Sequence, residues 1–166
     1  MLKFRDFNLM KVYDINGRYL GVIDDLAIDF YHGKVSGFYL SRFTLFNKKN
    51  YVDISDVVSM QDEMVVKGLK EFKGLKFKEL KYMDIYNENN VMEGVLEDII
   101  IARDDYSIKG LVVSSGIFDR MFKGKKIFLI HCCILCDNFI IHRNDEKINF
   151  TSLPHSIGGK NNAKEV

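Results

Sequence analysis

"DINGRYLGVIDDLAID", residues 14–29, sets a turn, a short apolar pair and a run of acids side by side, and "VMEGVLEDIIIA", residues 91–102, repeats that outline. Displacing the chain against itself by 73 positions, without a gap, lays Phe4 on Phe77, Met10 on Met83, Tyr13 on Tyr86 and Asn16 on Asn89. The match continues through Gly21 and Gly94, Val22 and Val95, Asp25 and Asp98, Ile28 and Ile101, Gly37 and Gly110, and Ser41 and Ser114. "VSGFYLS" therefore overlies "IKGLVVS", and after a two-residue length change in the next loop "YVDISDVVSMQDEMVV" overlies "KIFLIHCCILCDNFII". Stacked solenoid repeats have periods of about 20 to 50 residues, so a longer period marks two copies of a domain. The expected boundaries are 1–74 and 75–150, followed by a polar tail, 151–166, whose Gly-Gly and small residues predict a flexible end.

Within a copy the pattern is β throughout. "LMKVYD" reads as a strand, Asn16-Gly17 supplies the positive φ of a tight turn, and "VIDDLAIDFY" places Val22, Leu26, Ile28 and Phe30 on one parity. His32-Gly33 turns the chain, and "KVSGFYLSR" returns with β-branched and aromatic residues. A last hairpin has Gln61-Asp62 at its tip in copy one and Asp137-Asn138 in copy two. Five or six short strands per copy predict an all-β protein of two tandem small antiparallel β-barrels, because closure removes exposed edges. Gly37 and Gly110 interrupt a strand at the same place, which predicts a bend or the close approach of another backbone. Asp24 and Glu97 share parity with the apolar row, so a bulge or a barrel mouth is expected to keep their carboxylates wet or hydrogen-bonded. Catalytic pairing of Asp24 and Glu97 with the adjacent Asp25 and Asp98 is the sharper alternative, disfavoured because neighbouring strand residues point to opposite faces.

The succession of strand, "DINGRYLGVIDDLAID", turn at Gly33 and "KVSGFYL" resembles the PRC-barrel, the domain named after the cytoplasmic part of the photosynthetic reaction-centre H subunit. The resemblance covers residues 9–66, and the register of 73 carries it to about residue 143, with Asn90 in place of the turn glycine and Tyr106 in place of Gly33. It implies a compact antiparallel β-barrel in tandem and brings no shared active site. Its members include stand-alone bacterial and archaeal proteins, small sporulation-associated proteins and the C-terminal domain of a ribosome maturation factor.

Composition narrows the role further. Lys and Arg number 24 against 23 Asp and Glu, a formal charge of +1 that gives no long-range pull toward nucleic acid or an anionic membrane. Lys3, Arg5 and Asp6 interrupt the start where a signal peptide needs an apolar run, and the longest greasy stretch, residues 127–136, is half of what a membrane helix needs. Three cysteines within five residues do not make a secreted disulfide framework, so a reducing cytoplasm is expected. A single proline with abundant Lys, Asn and Ile suggests an AT-rich bacterial genome.

Two segments carry residue types that do chemistry. "HCCILC" gathers His131, Cys132, Cys133 and Cys136, all soft-metal ligand types, but a structural zinc site pairs two such clusters and no second one exists. Copy one has Val57, Val58 and Gln61 at the aligned positions, which favours packing; a metal or thiol sensor is the alternative. "FNKKNY" and "MFKGKKIF" set lysines beside aromatics: Phe46, Lys48, Lys49 and Tyr51 in one copy, Phe122, Lys123, Lys125 and Lys126 in the other. Aromatics stack on bases and lysines meet phosphates, so an RNA- or ribosome-associated factor is a second reading, though the balanced charge favours a solvated turn. No Gly-rich phosphate loop, G-x-S-x-G, HExxH or nucleotide fingerprint occurs. Between the copies, residues 67–84 are lysine-rich with Leu69, Phe72 and Leu75 at helical spacing, either a short linker helix or a joint through which the barrels pack. The expectation is a non-enzymatic adaptor with no catalytic, cofactor or metal residues, an unidentified protein partner and no transmembrane segment.

Overall fold

The computed structural model describes residues 1–41, 49–114 and 125–143. The first half contributes β1 (Lys11–Asp14), β2 (Tyr19–Asp29), β3 (Lys34–Ser41), β4 (Tyr51–Asp53), β5 (Val57–Met60) and β6 (Met64–Val66). The second contributes β7 (Asp84–Asn87), β8 (Met92–Ile101), β9 (Ile108–Ser114), β10 (Lys126–Leu129), β11 (Cys133–Leu135) and β12 (Phe139–His142). Each set forms one six-stranded sheet, ordered β4-β3-β2-β1-β6-β5 and β10-β9-β8-β7-β12-β11, so the two halves share one topology.

The turns explain how different residues serve the same bend. Gly17 has φ +78°, and Asp14 accepts the N–H groups of Asn16 and Arg18, each at 2.9 Å. In the second half Asn87 accepts those of Asn89 and Val91, and Asn90 holds the left-handed position at φ +57°. Asparagine tolerates that region because its short amide satisfies the backbone locally. Gly33 (φ +60°) is matched by Tyr106 (φ +55°), a bulky residue held in a strained conformation by its surroundings.

Three details correct or refine the sequence-based expectation. The ladder between β1 and β6, like that between β7 and β12, is parallel, whereas the other ladders are antiparallel. The cause is the 3-10 turn Ile54–Asp56, with its counterpart Ile130–Cys132, which bends the chain between β4 and β5 without reversing it. Second, the bulge predicted at Asp24 and Glu97 exists, since register shifts fall between Ile23 and Asp25 and between Leu96 and Asp98. It turns Asp24 outward to Lys78 (2.7 Å) and moves Ile23, rather than Val22, into the core. Third, Gly37 faces Asp53 while Gly110 faces Leu129, so the loop differs by three residues, not two. Cys133 is thereby the counterpart of Val57. Gly37 itself lies against the Val52 carbonyl and the Tyr51 ring, the close approach its position predicted.

The segment joining the halves is helical only over Phe77–Leu80. Upstream it runs extended because Lys70 exchanges backbone hydrogen bonds with Tyr51 at 2.8 and 3.1 Å, while Leu69 and Leu75 pack against the core. The leading segments then cross over. Leu2 exchanges two backbone hydrogen bonds with Ile101 of β8 (2.8 Å each), and the Ile28 N–H of β2 donates to Leu75 (2.8 Å). Near the turns, Val35 donates to the Tyr106 carbonyl (3.0 Å) and Ile108 to that of Gly33 (2.7 Å). Each contact recurs with the roles of the halves exchanged, the relation that a two-fold axis imposes on an isologous interface. Phe4 and Phe77, equivalent by the repeat, meet at 5.0 Å between ring centroids. Buried residues of both halves, among them Phe7, Phe38, Phe77, Leu80, Leu96 and Ile99, consequently form one contiguous cluster.

Candidate functional site: a cleft between the halves

Of the lysine and aromatic residues singled out above, Phe46, Lys48, Phe122 and Lys123 lie outside the described residues. Lys49 is exposed. Tyr51 sits in β4 and is only 3% exposed, with its hydroxyl donating to the Ser36 carbonyl (2.8 Å) and its ring packed by Tyr39 (5.5 Å) and Phe72 (4.4 Å). A base has no open face there to stack on. Burial also raises its phenol pKa. Lys125 pairs with Glu97 at 2.9 Å, and the Lys126 ammonium reaches the Glu93 carbonyl at 3.4 Å. The three-residue loop difference makes Ile127, not Lys126, the counterpart of Tyr51.

The cysteine segment is split by the fold. Cys132 ends the 3-10 turn and is buried, Cys133 opens β11 and is buried, and Cys136 is half-buried beyond its end. The Cys133 thiol donates to the Leu129 carbonyl at 3.4 Å, and burial pushes its pKa up to about 12, so at neutral pH it is a protonated, poorly nucleophilic group. Among the described residues no group of three or more His, Cys, Asp or Glu side chains is placed to hold a metal ion.

Asp25 and Asp98 are each held on backbone N–H groups. Asp25 accepts from Leu26 (2.8 Å) and from Lys78 (3.2 Å), and Asp98 accepts from Ile99 (2.9 Å) and Phe4 (3.2 Å). Each aspartate thus ties its own strand to the leading segment of the opposite half. Asp25 is buried, and desolvation raises its pKa against the opposing pull of those N–H groups and of the Lys78 charge.

What the repeat could not locate is a cleft of about 940 Å³ where the β2–β3 hairpin of the first half faces β11 of the second. Ile28, Phe30, Ile130 and Leu135 give it apolar walls, and Phe72 of the joining segment closes one side. Tyr31, at the hairpin tip, is 92% exposed and stands edge-on to His32, 5.0 Å between centroids. His32 is held to Asp29 at 2.7 Å, and its backbone N–H, more than its ring, keeps the Asp29 carboxyl below its ordinary range. His131 and Ile134 complete the opposite rim. The Ser36 hydroxyl, which also lines the cleft, donates to the Ala27 carbonyl at 3.3 Å. The walls come from residues about a hundred positions apart, and the only sequence signals were a turn, His32-Gly33, and a greasy run, each read separately.

No helix among the described residues is long and apolar enough to cross a membrane, which leaves strand-built spans unaddressed. No curated protein sequence matches the chain significantly. Residues 1–73, the half that supplies β1–β6, the Asp24 bulge and one wall of the cleft, match the family model of the PRC-barrel domain, and the second half repeats the strand order of that matched half.

Proposed function

We propose that this protein is a non-enzymatic PRC-barrel adaptor that holds a protein partner in the cleft between its halves. The observation that carries this reading is the juxtaposition of Tyr31, almost wholly exposed, with apolar walls drawn from both copies. Exposed aromatics at the rim of an apolar cleft are the usual anchors of protein interfaces. The RNA reading has weaker support: Lys125 is neutralised by Glu97, and Tyr51 is buried.

Capture from the native host with the intact chain, repeated with Tyr31→Ala, tests the proposal. Tyr31 touches solvent on nearly every side, so its removal leaves the core intact. Truncating an aromatic anchor costs about 2 kcal/mol or more, roughly a thirtyfold loss of affinity. A purified partner that binds Tyr31→Ala and wild type equally well would place the interaction elsewhere, and substrate turnover by the pure protein would end the adaptor reading.

A further inference from the structure

We infer that the cleft binds its partner as an extended, uncharged peptide segment that adds a strand to the free edge of β11; this rests on the cleft being the protein-binding site. The phase of the β11–β12 ladder sets which backbone groups are available. Cys136 donates to the Phe139 carbonyl (2.9 Å) and Arg143 to that of Cys132 (2.7 Å), so Ile134 is the residue between them that exchanges hydrogen bonds with Ile141. Cys133 and Leu135 therefore turn their backbone groups away from β12. The Cys133 N–H caps the preceding turn on Ile130, which leaves the Cys133 carbonyl and the N–H and carbonyl of Leu135 without partners among the described residues. Alternate residues of a strand face opposite sides, yet Cys133, Ile134 and Leu135 all line the cleft. A cleft touched by three residues in a row runs along the strand's edge, where those unpaired groups point.

The equivalent edge of the first half is blunted. There a register shift between Val57 and Ser59 makes Val58 a bulge, a device that prevents strand addition, whereas β11 pairs with β12 in unbroken register. Charge decides the composition of the occupant. The Asp29 carboxylate is already engaged by the His32 ring and backbone N–H, and the walls at Ile28, Phe30, Ile130 and Leu135 offer no counter-charge, so a charged segment would be desolvated without compensation. A second copy of this chain joined edge to edge is the competing occupant, and the self-association outcome of the test separates it. Main-chain bonds to the edge then supply affinity, and alternate side chains entering the apolar walls supply selectivity.

The test uses the full chain and short linear peptides selected from a displayed random library. An enriched peptide is resynthesised with single N-methyl groups along its backbone, and amide hydrogen exchange of the complex is measured. Strand addition predicts that the Leu135 amide becomes protected, and that N-methylation weakens binding about tenfold at alternate positions only. Ile134→Lys, at a residue 39% exposed, should keep the fold and abolish binding by placing an unpaired charge at the edge. Failure to enrich any peptide, binding indifferent to N-methylation, a helical bound peptide, or Leu135 protection that appears only with self-association would each overturn the inference. A natural partner that needs Tyr31 but leaves the Leu135 amide unprotected would overturn strand addition while leaving the adaptor reading intact.

Discussion

Replacing Phe77 by alanine tests whether the two halves are one thermodynamic unit. Phe77 opens the helix of the second half, is 0% exposed and belongs to the cluster that also contains Phe7 and Phe38 of the first half. Truncating a fully buried phenylalanine costs about 3–5 kcal/mol, the transfer of the ring plus the cavity it leaves. At about 2–4 °C per kcal/mol for a chain of this length, Tm should fall by roughly 6–20 °C. Calorimetry gives the midpoint, and hydrogen exchange followed on peptides from β2–β3 and β8–β9 reports each half separately. Both sets should lose protection together, because the ring is shared. Phe4→Ala, at the equivalent but only half-buried position, should cost roughly half as much, in proportion to the apolar area it hides. Two separate transitions, with only the second half moved by Phe77→Ala, would refute the shared core.

Asp25 makes a pH-dependent contribution of definite sign. Burial raises its folded-state pKa above the ordinary aspartate value of 3.8, so between those two values the folded chain binds more protons than the unfolded one. Its contribution to stability is therefore greatest at acidic pH, declines as pH rises above about 4, and levels off once the raised pKa is passed. Subtracting the stability curve of Asp25→Asn from that of the wild type should isolate this decline; a difference that rises with pH would contradict it. Gly37→Ala should destabilise by an amount on the order of 1–3 kcal/mol, since a Cβ there meets the Tyr51 ring at 2.5 Å as well as the Val52 carbonyl. Gly68→Ala, where nothing lies within 4 Å, is the control and should leave the urea midpoint almost unchanged.

Much of the architecture was legible because its causes are local. Alternating apolar residues, Asn16-Gly17 and the paired interruptions at Gly37 and Gly110 each depend on a few neighbours in the chain, and finding them twice at a spacing of 73 confirmed the pattern. Even the bulge at Asp24 could be anticipated, because an acid on the apolar parity must escape the core. Its effect on the face assignment could not, since an inserted residue moves Ile23 inward only once a partner strand exists to define inside. The parallel ladder was hidden for a similar reason: whether "ISD" reverses the chain or merely bends it depends on where β5 finds a partner.

By itself, then, the sequence determined that there are two copies, that they are built of strands, and where the chain must turn, all consequences of period-two patterning and backbone sterics acting over a few residues. Tertiary structure alone decided that each leading segment docks on the opposite half, that Asp25 and Asp98 bind backbone N–H groups there, and that the hairpin carrying Tyr31 faces β11 across a cleft. Those pairings join residues far apart in the chain, and they exist because burying apolar surface across a two-fold-like interface satisfies both copies at once, a solution no local pattern encodes.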